Sequence, residues 1–445
     1  MYEFHSFMPF RRVLIITYYW PPSGGSGVQR WLKMAKYLPE FGWEPVIYTP
    51  ENPELMASDD KLLKEVSSNL TVWKLPIKEP YTFYKIFTGK RGQSIKPGFI
   101  SNQTGKPSWK EQAAMFIRSN FFFPDPRCLW RRPSVRYLAK RLAKEPVDWI
   151  ITTGPPQSMH LIGRDLHRKL KIPWLADFRD PWTGIYYFKH LKMHPHIVQR
   201  HKKAERSVVR EADIVTVVSP QMKRDFLPLG PKRIEVIFNG YDQDDFDMVE
   251  THNYVSLPYQ NKFTICHTGL FTRDANPDQL WRALGQIVEE NSDFSQALQI
   301  VLVGQTDGAV VQSIEKAGLA PYSRVVSYVP HLEAVAYQKG ADLLLLSLKK
   351  EPESKGIITG KLFEYLASQR PILGIGPTDG DLAAILTECN AGSMHEFEDF
   401  EGIKKSVWHY YRLFCQNKPW SASLPDAIVA YSRKNLCQEL SELLF

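Results

Sequence analysis

Apolar residues along this chain fall into short runs that alternate with stretches of helical periodicity. Residues 12–19 form a run rich in β-branched and aromatic side chains, which reads as a strand. The loop Pro21-Pro22-Ser23-Gly24-Gly25-Ser26-Gly27 follows. Val28, Leu32, Ala35 and Leu38 then share one helix face, Gly42 ends the helix, and residues 44–49 form a second strand. Strand, glycine loop, helix and strand in about 40 residues make a βαβ unit, which predicts a parallel sheet. Residues 55–110 read as irregular, with a short strand near 70–75, and 106–145 read as helical and basic. Strands are then expected at 149–153, 173–177, 214–218 and 234–237, with helices at 157–170 and 196–212.

Residues 239–260 are polar, acidic and weakly periodic, and are a candidate linker. Beyond them the alternation restarts. Strands are expected at 263–267, 298–303, 325–328, 342–347 and 371–375, and helices at 277–290, 311–317, 333–339 and 360–368. Residues 400–445 are helical and aromatic in pattern. The expectation is an α/β chain of two successive domains, 1–245 and 246–420. A helical tail over 421–445 is a candidate to cross back to the first domain.

A chain of 445 residues is too long for one ordinary core, and 43% hydrophobic content excludes a disordered one. Charge sharpens the division. Residues 1–250 carry 39 lysines and arginines against 26 acidic residues, a net of +13. Residues 251–445 carry 17 against 22, a net of −5. The first half is thus suited to something anionic. Five cysteines, no two in a C-x-x-C spacing, argue against a disulfide framework or zinc site and for a reducing cytoplasm. The first residues lack a secretory pattern, and no apolar run approaches the ~18 residues of a membrane span.

Several segments carry candidate chemistry. Gly24-Gly25-Ser26-Gly27, between strand and helix, is either an anion cradle or a plain tight turn. It matches neither a P-loop nor G-x-G-x-x-G. Gly360-Lys361-Leu362-Phe363-Glu364 opens a helix. A helix N-terminus with Lys361 suits a diphosphate, and Glu364 one turn in can accept two hydrogen bonds from a ribose diol. His160 follows a strand end, where open α/β sheets bind ligands, although a lone histidine is often structural. Asp177-Phe178-Arg179-Asp180-Pro181-Trp182 is a charged cluster at another strand end. Asp177 or Asp180 could orient or deprotonate an acceptor hydroxyl, or both could simply pair with Arg179. Between 106 and 144, ten basic residues are interleaved with aromatic and aliphatic ones. That mixture suits an anionic membrane surface, a nucleic acid, or a solvated face over a core.

The motifs Y-Y-W-P-P-S-G-G-S-G-V-Q-R at 18–30, H-T-G-L-F-T-R at 267–273, V-L-V-G at 301–304 and G-K-L-F-E-Y-L-A-S-Q-R-P-I-L at 360–373 resemble glycosyltransferase family 4. The resemblance implies a GT-B architecture, two Rossmann-like domains with parallel sheets facing across a cleft. It implies retention of configuration, a nucleotide-diphosphate sugar as donor, and no metal or cofactor. Gly24, Gly25, Gly269, Arg273 and Lys361 would hold the donor phosphates, and Val329 would meet the base through its main chain. Glu364 would be the second Glu of an E-x7-E motif and bind the ribose. His160 would touch the donor sugar, with Asp177 or Asp180 at the reacting centre. Two departures stand out. The first Glu of the motif is replaced by Gly356, with Glu351 and Glu353 nearby as substitutes for the sugar contact. The basic residue expected just after Gly269 is Leu270.

The activity expected from this resemblance is transfer of a sugar to a polysaccharide or lipid-linked glycan in cell-surface glycan synthesis. The protein would be cytoplasmic, peripheral on the inner membrane face through 106–144, with no nucleic-acid partner. The alternatives are a GT-B epimerase or hydrolase and a non-catalytic carbohydrate- or nucleic-acid-binding protein.

Overall fold

A computed structural model describes residues 11–54, 59–79, 109–251, 261–418 and 425–445. The chain divides into two compact units, Met1–Phe238 with Leu436–Phe445, and Asn239–Asn435.

The first unit contains β1 (Arg11–Ile16), α1 (Ser26–Tyr37), β2 (Trp43–Pro50), β3 (Thr71–Leu75), α2 (Trp109–Phe121), α3 (Cys128–Leu142), β4 (Trp149–Gly154), α4 (Ser158–Leu170), β5 (Trp174–Phe178), α5 (Pro195–Glu211), β6 (Ile214–Val217), α6 (Pro220–Phe226) and β7 (Ile234–Val236). Its strands form one sheet in the order β3-β2-β1-β4-β5-β6-β7, every pairing parallel. Alternate residues of β1 enter different cores: Leu14 and Ile16 join one buried cluster, Val13 and Ile15 the other. Burial on both faces is why these strands read as continuous apolar runs. Leu436, Cys437, Leu440 and Leu444, from the end of the chain, pack into the cluster that holds Val13 and Ile15.

The second unit contains α7 (Gln243–Thr251), β8 (Phe263–Thr268), α8 (Asp278–Glu290), α9 (Ser292–Ala297), β9 (Leu298–Val303), α10 (Gly308–Lys316), β10 (Ser323–Val326), α11 (His331–Gly340), β11 (Leu343–Ser347), α12 (Gly360–Ala367), β12 (Ile372–Ile375), α13 (Asp381–Glu388), β13 (Gly392–His395), α14 (Phe400–Cys415) and α15 (Pro425–Val429). A last helix, α16 (Arg433–Leu443), ends in the first unit. The sheet order is β10-β9-β8-β11-β12-β13, again all parallel.

The structure departs from or adds to the sequence pattern in three places. Part of the candidate linker is folded: α7 buries Asp245, Phe246 and Val249. Its acidic surface masked that apolar stripe, and residues 252–260 lie outside the described residues. The helical, basic stretch over 106–145 is a pair of helices, because Pro124 and Pro126 interrupt it. Asp125 at the break accepts hydrogen bonds from Arg127 N (2.8 Å) and Ser158 N (2.8 Å), which fixes the turn. Third, α13 and β13 are elements the apolar pattern did not single out.

Candidate functional site

In the second sheet the strand order reverses between β8 and β11, and open parallel sheets bind ligands at the carboxyl ends of such a pair. β8 ends in His267 and Thr268, with Gly269 next, and β11 ends in Ser347. Gly304, after β9, has φ +113°, and a Cβ there would lie 2.6 Å from the Gly269 carbonyl oxygen. Only glycine lets the two loops meet.

The first turns of α12 face this edge. Lys361 Nζ lies 3.1 Å from His267 Nε2 and 3.2 Å from the Leu270 carbonyl oxygen. Tyr365 Oη accepts from Thr268 N at 2.9 Å. Gln338, fully buried on α11, donates through Nε2 to Glu364 Oε2 (2.9 Å) and to Thr268 Oγ1 (3.1 Å). One oxygen of Glu364 is thereby fixed, and Oε1 has no partner among the described residues. His331, at the start of α11, sits 3.2 Å from Asp245 Oδ2. Burial alone would lower its pKa, but Asp245 and Glu364 hold it above the ordinary histidine value.

Around this cluster, the hydroxyls of Thr306, Ser347 and Thr359 are buried without a hydrogen-bond partner. Buried polar atoms are normally paired, so three orphans at one sheet edge mark a place where a polar ligand fits. Arg273 is exposed, at the start of a single turn, with no side-chain partner among the described residues. Val329 is half-buried in the loop before α11. Glu351 is half-buried and unpaired among the described residues, whereas Glu353 is exposed. Gly356 closes the turn Pro352–Gly356. Among the described residues, no group of three or more His, Cys, Asp or Glu side chains could hold a metal ion.

In the first unit the expected residues separate by role. Asp177 is fully buried. Arg30 grips both of its oxygens, Nη2 at 2.8 Å and Nε at 3.2 Å. Trp31 Nε1 (2.8 Å), Thr153 Oγ1 (2.9 Å) and Thr216 Oγ1 (2.9 Å) add three more hydrogen bonds. Burial would raise its pKa, but Arg30 and these donors hold it below the ordinary carboxylate value. With its lone pairs engaged, Asp177 is a structural anion and not a free base.

His160 lies deep in the first unit. Its ring is fully buried, stacked on Phe178 at 4.2 Å, with Nδ1 2.9 Å from Thr152 Oγ1. Burial lowers its pKa to about 3, so it stays neutral. A Cβ on Gly154 would come within 2.5 Å of Nε2, so the strand end covers the ring. Nε2 has no hydrogen-bond partner among the described residues.

Arg179 does not pair with its neighbouring aspartates. It donates to the carbonyl oxygens of Gly27 (2.8 Å), Pro155 (2.5 Å) and Gly154 (3.3 Å), tying the two strand-end loops together. Asp180 is left half-buried, with no hydrogen-bond or ion-pair partner among the described residues. Burial raises its pKa against the pull of Arg179. Of Asp177 and Asp180, it is the one free to meet a hydroxyl. Gly24 and Gly25 precede α1, whose start has no side-chain cap, and Gly25 adopts φ +95°.

Much of the basic stretch is committed. Arg131 pairs with Asp165 at 2.7 Å, and Trp130 and Leu138 lie in the core. What remains outward is apolar on α2 (Phe116, Ile117 and Phe121, the last 73% exposed) and basic on α3 (Arg132, Arg136 and Lys140). Among the described residues no helix is long and apolar enough to cross a membrane.

Sequence reasoning missed Gln338, His267 and Arg30. His267 lay inside a quoted motif. Gln338 carried no signal, because a glutamine within a mixed helix gives no hint that it is buried.

Residues 93–245 match the family described as Glycosyltransferase Family 4. No curated protein matches the chain. Among solved structures, a sucrose-phosphate synthase from Thermosynechococcus elongatus is similar at TM-score 0.61 and 14% identity, over 97% of this chain and 98% of that one. HepE from Anabaena in complex with UDP is similar at TM-score 0.61 and 13% identity, over 97% and 99%. WaaG, a glycosyltransferase involved in lipopolysaccharide biosynthesis, is similar at TM-score 0.54 and 13% identity, over 97% and 99%. At these identities the likeness shows the fold. The chain has the two-sheet GT-B glycosyltransferase fold, and its residues 93–245 match glycosyltransferase family 4.

Proposed function

We propose that this protein is a retaining glycosyltransferase that takes a sugar from a nucleotide-diphosphate donor and passes it to a polysaccharide or lipid-linked glycan. The observation that carries the reading is the carboxyl edge of β8 and β11. There a positioned carboxylate, a lysine with no ion-pair partner among the described residues and three orphan hydroxyls come together. A nucleoside diphosphate sugar offers the matching groups: a ribose diol for Glu364, phosphates for Lys361 and Arg273, and sugar hydroxyls for the orphans and Glu351. UDP and UDP-glucose in the complexes of HepE are consistent with such a donor. Where configuration is retained by front-face attack, the leaving phosphate takes the acceptor proton, and fixed cations stabilise its developing charge.

In the first unit, Asp180 orients the acceptor hydroxyl. Asp180→Asn is expected to leave donor binding unchanged and to lower the transfer rate about tenfold, the worth of one hydrogen bond to a charged group. A turnover assay at saturating donor checks this, and an unchanged rate removes Asp180 from the site.

Phe116, Ile117 and Phe121, beside the basic face of α3, dock on an anionic bilayer as apolar wedges flanked by cations. Phe121→Asp is expected to abolish co-sedimentation with phosphatidylglycerol vesicles while leaving donor binding intact. Equal sedimentation of variant and parent would return this face to plain solvent.

The function itself is tested by following nucleoside diphosphate release from labelled nucleotide sugars, with and without glycolipid extract. Release that requires the extract is the expected result. Full release from donor alone would favour an epimerase or hydrolase.

A further inference from the structure

We propose that Tyr19 and Tyr187, from two loops beside Asp180, form the subsite that receives the sugar ring of the acceptor. The proposal rests on the glycosyltransferase reading above, and it concerns the acceptor and not the donor.

The first sheet has its own point of reversal, between β1 and β4, and β5 lies on the far side of β4. Ligands of open parallel sheets bind at the carboxyl ends of such strands. Tyr19 stands in the loop that leaves β1, and Tyr187 in the loop from β5 to α5 that also carries Asp180. Arg179 joins the two loops. It donates to the Gly27 carbonyl oxygen at 2.8 Å, and its guanidinium lies 5.7 Å from the centroid of the Tyr19 ring.

Both rings are held in place. Tyr19 meets Tyr18 edge-on at 5.0 Å, and a Cβ on Gly27 would come within 3.1 Å of its Cδ2, so only glycine lets α1 begin this close. The loop of Tyr187 is strapped to α5 on either side of that residue. Before it, Trp182 Nε1 donates to His201 Nδ1 at 2.9 Å, and Thr183 donates through N (3.0 Å) and Oγ1 (2.5 Å) to the buried carboxylate of Glu205. After it, Phe188 meets the His201 ring edge-on at 5.4 Å. Between the straps Tyr187 packs edge-on against Tyr186 at 5.3 Å. A loop anchored in this way loses little freedom when a ligand arrives.

Asp180, Tyr19 and Tyr187 are all half-buried, and the carboxylate and both phenol hydroxyls have no hydrogen-bond partner among the described residues. They are nonetheless electrostatic neighbours. Burial first, then Asp180 and Tyr186, push the Tyr187 phenol up to about 12, so it keeps its hydrogen. A carboxylate accepts, and a phenol both donates and accepts. The three groups can therefore take the hydrogen of one sugar hydroxyl on Asp180 and give hydrogens to two further sugar oxygens. A tyrosine ring is an apolar body with a polar tip. A sugar ring has the matching character, C–H surface edged by hydroxyls.

The test is nucleoside diphosphate release at saturating nucleotide sugar, with the glycolipid extract serially diluted, beside calorimetric titration of the donor. Tyr→Phe removes the hydroxyl and keeps the ring, so the loop retains its packing. Y187F should raise the amount of extract needed for half-maximal release about two- to tenfold, the worth of one neutral hydrogen bond, with donor affinity at the parental value. Y19F should do the same, and Y19F/Y187F should need more extract than either. Y187A should exceed Y187F, because the apolar face is lost as well. A Y19F/Y187F protein with parental dependence on extract overturns the proposal and leaves the transferase standing. A matching loss of donor affinity in that variant also overturns it, since the tyrosines would then serve the donor. Full release by the parent from donor alone overturns the glycosyltransferase reading itself.

Discussion

Glu364→Ala is expected to weaken nucleoside diphosphate binding about 100-fold while the fold survives. The carboxylate enters a ribose diol contact as a charged acceptor, and hydrogen bonds to charged groups are worth about 1.5–3 kcal/mol each. Loss of two such bonds is about 3 kcal/mol or more, which corresponds to about two decades in affinity. The cost to stability is smaller. Gln338 loses one of two acceptors but keeps Thr268 Oγ1 at 3.1 Å, so its buried amide is not stranded. A penalty near 1 kcal/mol shifts the melting temperature of a unit of this size by about 2–4 °C. Glu364→Gln separates charge from shape: it can still accept from one hydroxyl and should lie between alanine and the parent. Calorimetry and thermal melting on the same samples read both quantities, and an alanine variant with parental affinity would remove Glu364 from the donor site.

Asp177→Ala is expected to be the most damaging single substitution for folding. The variant leaves Arg30, itself 2% exposed, as a buried charge with no carboxylate. Breaking one side of a buried pair typically costs about 3–5 kcal/mol, a large part of a domain's total stability. Trp31, Thr153 and Thr216 each lose an acceptor as well. The pH dependence has a definite sign. A carboxyl held below its ordinary pKa in the folded state contributes stability that is present above the unfolded value, about 3.9, and is lost as pH falls below it. The parent should therefore lose stability on acidification, and Asp177→Asn should be less stable at pH 7 with a shallower acid slope. Urea melts at pH 7 and at about pH 2.5, below the unfolded value, check this. Equal melts for Asn and Asp at pH 7 would show that the charge at 177 carries no stability.

The repeating strand–helix pattern was legible because parallel sheets buried on both faces produce long apolar runs, and both halves of the chain show them. The edge of β8 and β11 was legible through Gly269, Lys361 and Glu364, whose spacing and turn chemistry are local. What was not legible depends on burial. Asp177 and Asp180 stand three residues apart in one charged cluster, and only the sheet shows that one is enclosed by five donors and the other is free. His160 read as a ligand contact from its place after a strand, and only the fold shows that its ring is fully buried. The aromatic residues of 109–142 looked alike in sequence. Trp130 and Tyr137 pack inward on Tyr48 (ring centroids 4.8 and 5.9 Å), whereas Phe121 does not. The hydrogen bond from Lys361 to the Leu270 carbonyl oxygen joins residues 91 positions apart and could not be read from either motif alone.

The central claim is that the second unit holds a nucleotide-diphosphate sugar at the carboxyl edge of β8 and β11. The most direct test is a thermal-shift panel of UDP, GDP, ADP, CMP and dTDP sugars on the parent and Glu364→Ala. A ligand bound only by the folded state stabilises it by about 2.7 kcal/mol at 100 times its dissociation constant. The account predicts a clear rise in melting temperature for at least one nucleoside diphosphate sugar, lost in the variant. A flat response across the whole panel would contradict it.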